Sequence, residues 1–295
     1  VINGALLLDK PVGLSSNATL QRAKRLFSAR KAGHAGTLDP LASGLMVVLF
    51  GEATKFAGPL LDADKAYLAR VKLGERTATG DAEGEVLERR PVQVSAESLA
   101  AVLARFRGSI EQLPPMYSAL KRQGVPLYKL ARRGETVPRV PRRVMISELS
   151  LVAREGDLVE LMIRCSKGTY VRTLAEDIGA ALGTGAHLAG LRRTGSGRFE
   201  LSDALSLEAL EQMPLPERRR RLLPLEALLA ALPRAQLDAA GEARLRNGQA
   251  LQISGLDAGL CAVYGAHGAL VGLGMADGEG ALRPLRLTQA AEKHH

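Results

Sequence analysis

At 295 residues the chain has room for one large domain with a small one beside it, or for two of medium size. Hydrophobic residues make up 46% but aromatics only 3%, with no Trp, so the core has to be aliphatic. Lys and Arg total 40 against 31 Asp and Glu, a formal net charge of +9, which favours polyanionic partners because these side chains displace condensed counterions from a phosphate backbone; solubility charge is the plainer alternative. Cys165 and Cys261 are too few for a zinc cluster and read as reduced, buried core residues, which fits a cytoplasmic protein. The apolar runs fall short of the roughly 20 residues needed to span a bilayer, and no signal peptide is visible. Val1 stands where Met would open a chain, so a start further upstream is expected, and His294-His295 read as a tag remnant.

In chain order, Ala5 to Leu8 reads as a buried strand. Ser15 or Ser16 caps a helix running to about Phe27, with Leu20, Ala23 and Phe27 on one face. Arg22, Lys24, Arg25, Arg30 and Lys31 make that helix and its exit strongly basic. The stretch Gly33-His34-Ala35-Gly36-Thr37-Leu38-Asp39-Pro40-Leu41-Ala42-Ser43-Gly44 follows and reads as neither helix nor strand. Pro40 biases Asp39 toward an extended backbone, and the glycines admit turns and close approaches. Leu45 to Phe50 then reads as a buried strand that braces the loop. Asp39 alone is ambiguous: an Asx-turn before proline explains it as well as catalysis does.

Tyr67 to Leu73 alternates like a strand, Ser95 caps a helix to Phe106 with Glu97 in its first turn, and Leu158 to Arg164 is a strand ending at Cys165. Tyr170 and Arg172 fall on alternate positions of an extended stretch, so both can face one pocket. A helix follows Arg172, with Leu174, Ile178, Ala181 and Leu182 as its apolar stripe. Gln212 to Pro233, punctuated by four prolines and the Arg218 to Arg221 block, reads as a surface connector with a solvated basic turn. Beyond it, Asp238 caps a short helix to Asn247-Gly248, and Leu260 to Tyr264 with Ala269 to Met275 point to a small β domain.

The Gly33 to Gly44 stretch resembles the catalytic motif of the TruB-type tRNA pseudouridine synthases, and six further blocks match that family in order. They are Leu7 to Pro11 with Gly13 and Ser15 to Asn17, Gly51 to Phe56, Asp64 to Tyr67, Pro115 to Lys121, Ser166 to Arg172, and Gly185 to Arg193. Ala35 departs from the Thr common at its position in the family, which removes a hydroxyl from the loop.

The resemblance implies an α+β fold: a mixed, largely antiparallel sheet flanked by helices with a basic cleft across it, and a small C-terminal PUA-like RNA-binding domain. Boundaries of 1–230 and 235–290 are expected. It implies an isomerase that converts uridine 55 in the T loop of tRNA to pseudouridine, a reaction that needs no oxidation, phosphoryl transfer, metal or cofactor. Asp39 is then the essential carboxylate, paired with Arg172, which holds it ionised. His34 contacts the substrate or fills the space the base vacates, Tyr67 stacks on the target base, and Tyr170 and Leu191 line its pocket. Lys10, Lys55 and Asp81 match positions near the site, where RNA contact and structural pairing are both open. The T arm of tRNA is the expected partner, with no membrane, no obligatory protein partner and a monomer in the cytoplasm. A binding protein that folds tRNA without chemistry is the rival reading. A phosphate-binding metabolic enzyme is rejected, because the glycines match neither a P-loop nor a dinucleotide fingerprint.

Overall fold

The computed structural model describes residues 2–118 and 120–289; Val1, Ala119 and residues 290–295, with the His294-His295 pair among them, lie outside the described residues. A 10-stranded sheet organises most of the chain. Its strands run from one edge as Leu205–Ser206, Gly4–Lys10, Ala42–Phe50, Ala186–Ser196, Lys65–Leu73, Leu158–Cys165, Arg142–Glu155 and Gly108–Gln112. Ala32–His34 also pairs with Ala42–Phe50, and Phe199–Glu200 with Ala186–Ser196. Gly4–Lys10 is parallel to Leu205–Ser206 and Ala186–Ser196 to Ala42–Phe50, while the remaining pairings are antiparallel. This is the mixed, largely antiparallel sheet of an α+β fold.

Ala42–Phe50 carries an unbroken apolar run because both its faces are covered, and all 9 of its residues are buried. Leu45, Val47 and Leu49 pack with Ala5, Leu7, Phe56 and Leu60 on one side. Met46, Val48 and Phe50 pack with Leu6, Leu8 and the helix residues Leu20, Ala23 and Phe27 on the other. That helix, Ser16–Leu26, starts where its cap predicts: Ser15 Oγ accepts from the Ala18 amide at 3.1 Å. A third cluster joins Ala69, Val71, Leu73, Val159, Leu161 and Ile163 to the helices Ala96–Arg105 and Val171–Ala181. Cys165 and Cys261 are buried free thiols, and burial pushes Cys165 up to about 11.

Three expectations change. The strand expected from Leu45 begins at Ala42, and Gly33 and His34 lie in the short Ala32–His34 strand, so only the middle of the Gly33 to Gly44 stretch is loop. Backbone pairing to Val48, Leu49 and Phe50 on one side and to Leu191, Arg192 and Arg193 on the other captures both ends. The helix expected after Arg172 begins at Val171, with Tyr170 as its N-cap; Arg172 therefore sits inside its first turn, and Tyr170 and Arg172 are not alternate residues of one extended segment. Ala181 falls on the exposed side of that helix, and Val171 and Ala175 complete its buried stripe. The proline-rich connector is folded rather than merely superficial. It forms helices Leu215–Arg220 and Leu225–Leu229, buries Leu228 and Leu229, and ties Leu223 to Ala5 through paired backbone bonds of 2.9 and 2.7 Å. Arg218 is no solvated side chain: its guanidinium donates to the carbonyls of Leu26, Leu210 and Glu211.

The C-terminal unit is a curled 5-stranded sheet in the order Arg234–Gln236, Gly259–Tyr264, Leu270–Ala276, Ala281–Leu287, Leu251–Gln252, with the Asp238-capped helix Ala239–Arg246 against it. Its Val263, Val271, Leu245 and Leu282 close their own core. Ala262, Tyr264, Leu270 and Leu273 instead join the cluster built by Phe56, Leu60, Leu228 and Leu229, so the two units share apolar surface. No helix among the described residues is long and apolar enough to cross a membrane.

Candidate active site

The loop that carries Asp39 is fastened by neighbours before its own side chains matter. Ser16 Oγ accepts from the Leu38 amide at 2.7 Å and lies 2.8 Å from the Leu38 carbonyl, so the N-terminus of the first helix grips the residue just before Asp39. The Gly13 amide donates to the Pro40 carbonyl at 2.8 Å, and the Ala42 amide to the Asp39 carbonyl at 3.0 Å. Leu38 is buried, whereas the Asp39 side chain is 51% exposed. A carboxylate is thus presented to solvent on a backbone held from both sides.

Arg172 meets it from the first turn of its helix. Its Nη2 lies 3.2 Å from Asp39 Oδ2, and its Nη1 lies 3.4 Å from Asp81 Oδ2. The same guanidinium donates to the carbonyls of Tyr117 at 2.6 Å and Thr79 at 3.3 Å. Asp81 is almost fully buried and accepts from the Thr79 hydroxyl and, at 3.1 Å, from the Glu83 amide. Its backbone is pinned in turn, as the Ala82 amide donates to the Leu188 carbonyl at 3.0 Å. Asp81 is therefore a site contact made through Arg172. A planar fork suits such a split pairing, since each arm of the guanidinium reaches a different carboxylate.

Beneath the loop lies a layer of buried cations. Lys10 is fully buried and donates to the carbonyls of Pro11, at 2.8 Å, and Leu14. Burial pushes its ammonium down to about 8, opposed by the charge of Asp39 and aided by that of Arg193. Lys65 is likewise buried, holds the carbonyls of Leu60, Leu61 and Ala63, and is pushed down to about 8, first by burial and then by Arg193. Arg193 itself has 1% of its surface exposed; its Nε donates to the Leu45 carbonyl at 2.6 Å and its Nη2 to the Gly36 carbonyl at 3.2 Å.

Tyr67 sits opposite Arg193 in the sheet. Burial raises its phenol above the ordinary range, with the Arg193 guanidinium opposing. His34 ends its short strand with Nδ1 buried and without a hydrogen-bond partner among the described residues. Burial lowers its pKa, so the ring is neutral at neutral pH. Leu191, opposite Ala69 and beside Ala42, is half-buried against the same cluster as Tyr67.

Tyr170 and Lys55 make contacts of their own within the protein. Tyr170 exchanges backbone bonds with the Gln112 amide group and has the Arg142 guanidinium 5.0 Å over its ring, with Arg142 Nη2 3.2 Å from its hydroxyl. Lys55 pairs with Glu52 at 2.7 Å and donates to the Leu287 carbonyl at 2.9 Å, while Glu52 accepts from the Gln289 amide. It thereby joins the main sheet to the C-terminal one. Cavities of about 380 and 570 Å³ open against Leu6, Phe199 and Leu223 and against Pro214, Pro216 and Arg220; none of the residues of the Asp39 site lines them. Asp39 is half-exposed and so can be reached by a macromolecular substrate.

Arg193 is the residue that sequence reading passed over. Arg192-Arg193 looks like an exposed basic pair, yet strand alternation sends the two to opposite faces. Arg192 makes a two-armed pair with Asp9, at 2.7 and 3.2 Å, and Arg193 goes into the core.

The comparisons with known proteins identify the family. Residues 24–171 match the family model described as TruB family pseudouridylate synthase (N terminal domain). Residues 172–230 match the tRNA pseudouridylate synthase B C-terminal domain, and residues 233–288 match Pseudouridine synthase II TruB, C-terminal. The chain is 55% identical over 293 residues to the tRNA pseudouridine synthase B of Burkholderia mallei, covering 97% of each chain. It is 53% identical over 287 residues to that of Aromatoleum aromaticum, covering 97% of this chain and 93% of that one. Among solved structures, a Cbf5-Nop10-Gar1 complex contains a chain with TM-score 0.74 and 26% identity, over 98% of this chain and 84% of that one. An H/ACA RNP bound to a substrate RNA containing 2'-deoxyuridine gives TM-score 0.76 and 25% identity, over 98% and 86%. A carboxylate presented on a gripped loop, an arginine fork behind it, and a match of this length and identity lead to one assignment: the chain belongs to the TruB family of pseudouridylate synthases.

Proposed function

We propose that the protein is a tRNA pseudouridine synthase that isomerises uridine 55 in the T loop, with Asp39 as the reacting carboxylate. The observation that carries this reading is the ion pair of half-exposed Asp39 with Arg172, itself anchored on buried Asp81. The reaction breaks the C1'–N1 bond of uridine and forms C1'–C5; the proton on C5 is lost and N1 gains one, so no oxidant or reductant enters. A carboxylate serves such chemistry by covalent attack or by stabilising an oxocarbenium-like or glycal species. A nucleotide stacked in the T loop shields its glycosidic bond, so the target base has to leave the stack to reach Asp39, at a cost of a few kcal/mol.

The neighbouring residues take roles that follow from their places. Arg172 pairs with Asp39 at 3.2 Å and orients it. Tyr67 and Leu191 supply aromatic and aliphatic surface for the extruded uracil, and the neutral His34 ring lies where a displaced base or its gap would be met. Lys10 contributes positive charge beneath the carboxylate. Tyr170 supports the pocket through Arg142 and Gln112, and Lys55 fixes the C-terminal sheet. Residues 1–230 carry the chemistry and 235–290 add RNA contact, the protein acting as a cytoplasmic monomer.

The test is tritium release from a T-arm stem-loop labelled at uridine C5, comparing the wild type with Asp39→Asn. Release by the wild type, and none by a variant that still folds and binds the stem-loop, is expected. A variant that fails to fold would assign Asp39 to the turn instead. Tight binding without release by the wild type would make the protein an RNA-folding factor.

A further inference from the structure

Arg193 presents a cost that the reading above leaves unexplained. A guanidinium with 1% of its surface exposed has lost its water, yet none of the ion pairs among the described residues includes it. Desolvating a charge without an opposite one is among the most unfavourable arrangements in a core, and an apolar side chain of similar volume would fill the space more cheaply. The charged groups whose titration it perturbs include two more cations, Lys10 and Lys65, which worsen the balance. Dipoles compensate it, and they come from chosen places: the carbonyls of Gly36 and Leu45, on either side of Asp39, and the Tyr67 hydroxyl opposite it in the sheet. Its own backbone is paired with Gly44, whose φ of +101° permits the close approach.

We propose that Arg193 is a positioning residue for the isomerisation: its buried fork fastens both ends of the Gly36 to Leu45 segment and thereby holds Asp39 in register with Arg172 and with Tyr67. It touches no substrate and acts through that segment. The inference rests on reading Asp39 as the reacting carboxylate. A carboxylate displaced by about 1 Å can cost about a hundredfold in rate while the RNA surface is unchanged, so the signature is a loss in the chemical step alone.

The experiment uses the full chain with Arg193→Met, Arg193→Lys and, in parallel, Asp39→Asn. Single-turnover tritium release from the C5-labelled T-arm stem-loop is measured separately from stem-loop affinity, and amide hydrogen exchange is followed along the chain. Arg193→Met is expected to slow release about a hundredfold with affinity within about threefold of wild type, and Arg193→Lys, which keeps a donor for one carbonyl, to recover about tenfold. Exchange should rise over residues 35–45 while Lys65–Leu73 stays protected, a pattern that loss of general core packing would not give. If Arg193→Met does not fold, Arg193→Lys decides: about tenfold slower release at unchanged affinity supports the proposal, and an unchanged rate overturns it. A fall in rate matched by a fall in affinity overturns it as well. Product from Asp39→Asn would overturn the Asp39 reading and this proposal together, whereas a silent Asp39→Asn beside fully active Arg193 variants overturns this proposal alone.

Discussion

Arg172 and Asp81 hold one another 3.4 Å apart, and the same guanidinium reaches Asp39 at 3.2 Å with its other arm. The two carboxylates are unequal: Asp81 is buried and fixed by Thr79 and Glu83, whereas Asp39 faces solvent. Asp81 therefore works as the hinge pin of the arginine, which leaves Asp39 as the solvent-facing end, the one proposed above to react. Replacing Asp81 by Asn keeps the shape but removes the buried charge that balances Arg172. We expect Asp81→Asn to lower stability by about 1–3 kcal/mol and tritium release by about tenfold, far less than Asp39→Asn does. Urea unfolding and single-turnover release measure the two losses independently.

Gly44 meets a different constraint. Its φ is +101°, and a Cβ there would press on the Arg193 carbonyl oxygen and come within 2.7 Å of the Arg193 amide nitrogen. Backbone atoms cannot yield as a flexible side chain can. Gly44→Ala should therefore cost about 3 kcal/mol, seen as a lower urea midpoint at unchanged slope.

The contrast between Gly44 and Arg193 also marks what was legible in the sequence. The middle of the loop and the apolar strand behind it are readable because proline, glycine and an uninterrupted aliphatic run each restrict the backbone locally, whereas the role of Asp39 is legible only through the family resemblance. Arg193 is not readable, since a buried cation and an exposed one have the same letter and only the pairing of Ala186–Ser196 with Ala42–Phe50 and Lys65–Leu73 tells them apart. The helix start at Val171 was missed for a related reason. Tyr170 offers no side-chain cap, and its backbone is held instead by Gln112 from a distant strand. Leu215–Arg220 and Leu225–Leu229 span 6 and 5 residues, too short to show a helical period, and are held in place by their packing on the main sheet.

Lys10 gives a pH signature. Its folded pKa is about 8 against an ordinary 10.5, so between those values the unfolded chain holds a proton that the folded protein has shed. Stability rises with pH wherever the unfolded state binds more protons, so Lys10 opposes folding below pH 8 and that penalty is relieved as the pH climbs to 10.5. The unfolding free energy of the wild type should gain about 3 kcal/mol relative to Lys10→Met across this window. Comparing the two proteins cancels the opposite trend from Cys165, whose thiol keeps its proton up to about 11 when folded. Parallel curves would show that Lys10 titrates normally.

RNA affinity carries an ionic signature. Arg22, Arg25, Arg30 and Lys31 are exposed at the end of the first helix and its exit, the chain bears a formal +9, and none of these four side chains joins an ion pair among the described residues. Each phosphate that such groups neutralise releases counterions, so log affinity for the stem-loop should fall linearly with log salt, by about 0.7–0.9 per contact. Arg22→Gln with Arg25→Gln should flatten the slope by about 1–2 if both meet phosphate. A slope near zero in the wild type would remove electrostatics from RNA recognition.

The shared cluster of Tyr264, Leu270 and Leu273 with Phe56, Leu60 and Leu228 makes the C-terminal sheet something other than a bead on a string. A tethered module would add affinity through whatever lengths its linker allowed, and it could be cut away cleanly. Here removal at residue 230 would strip a wall from the main core, and the span from Asp39 to the last strand is set by packing, with Lys55 bolting the seam at Leu287. The two sheets stand or fall together: the seam makes the C-terminal unit a part of the main unit's folding, and not cargo carried behind it.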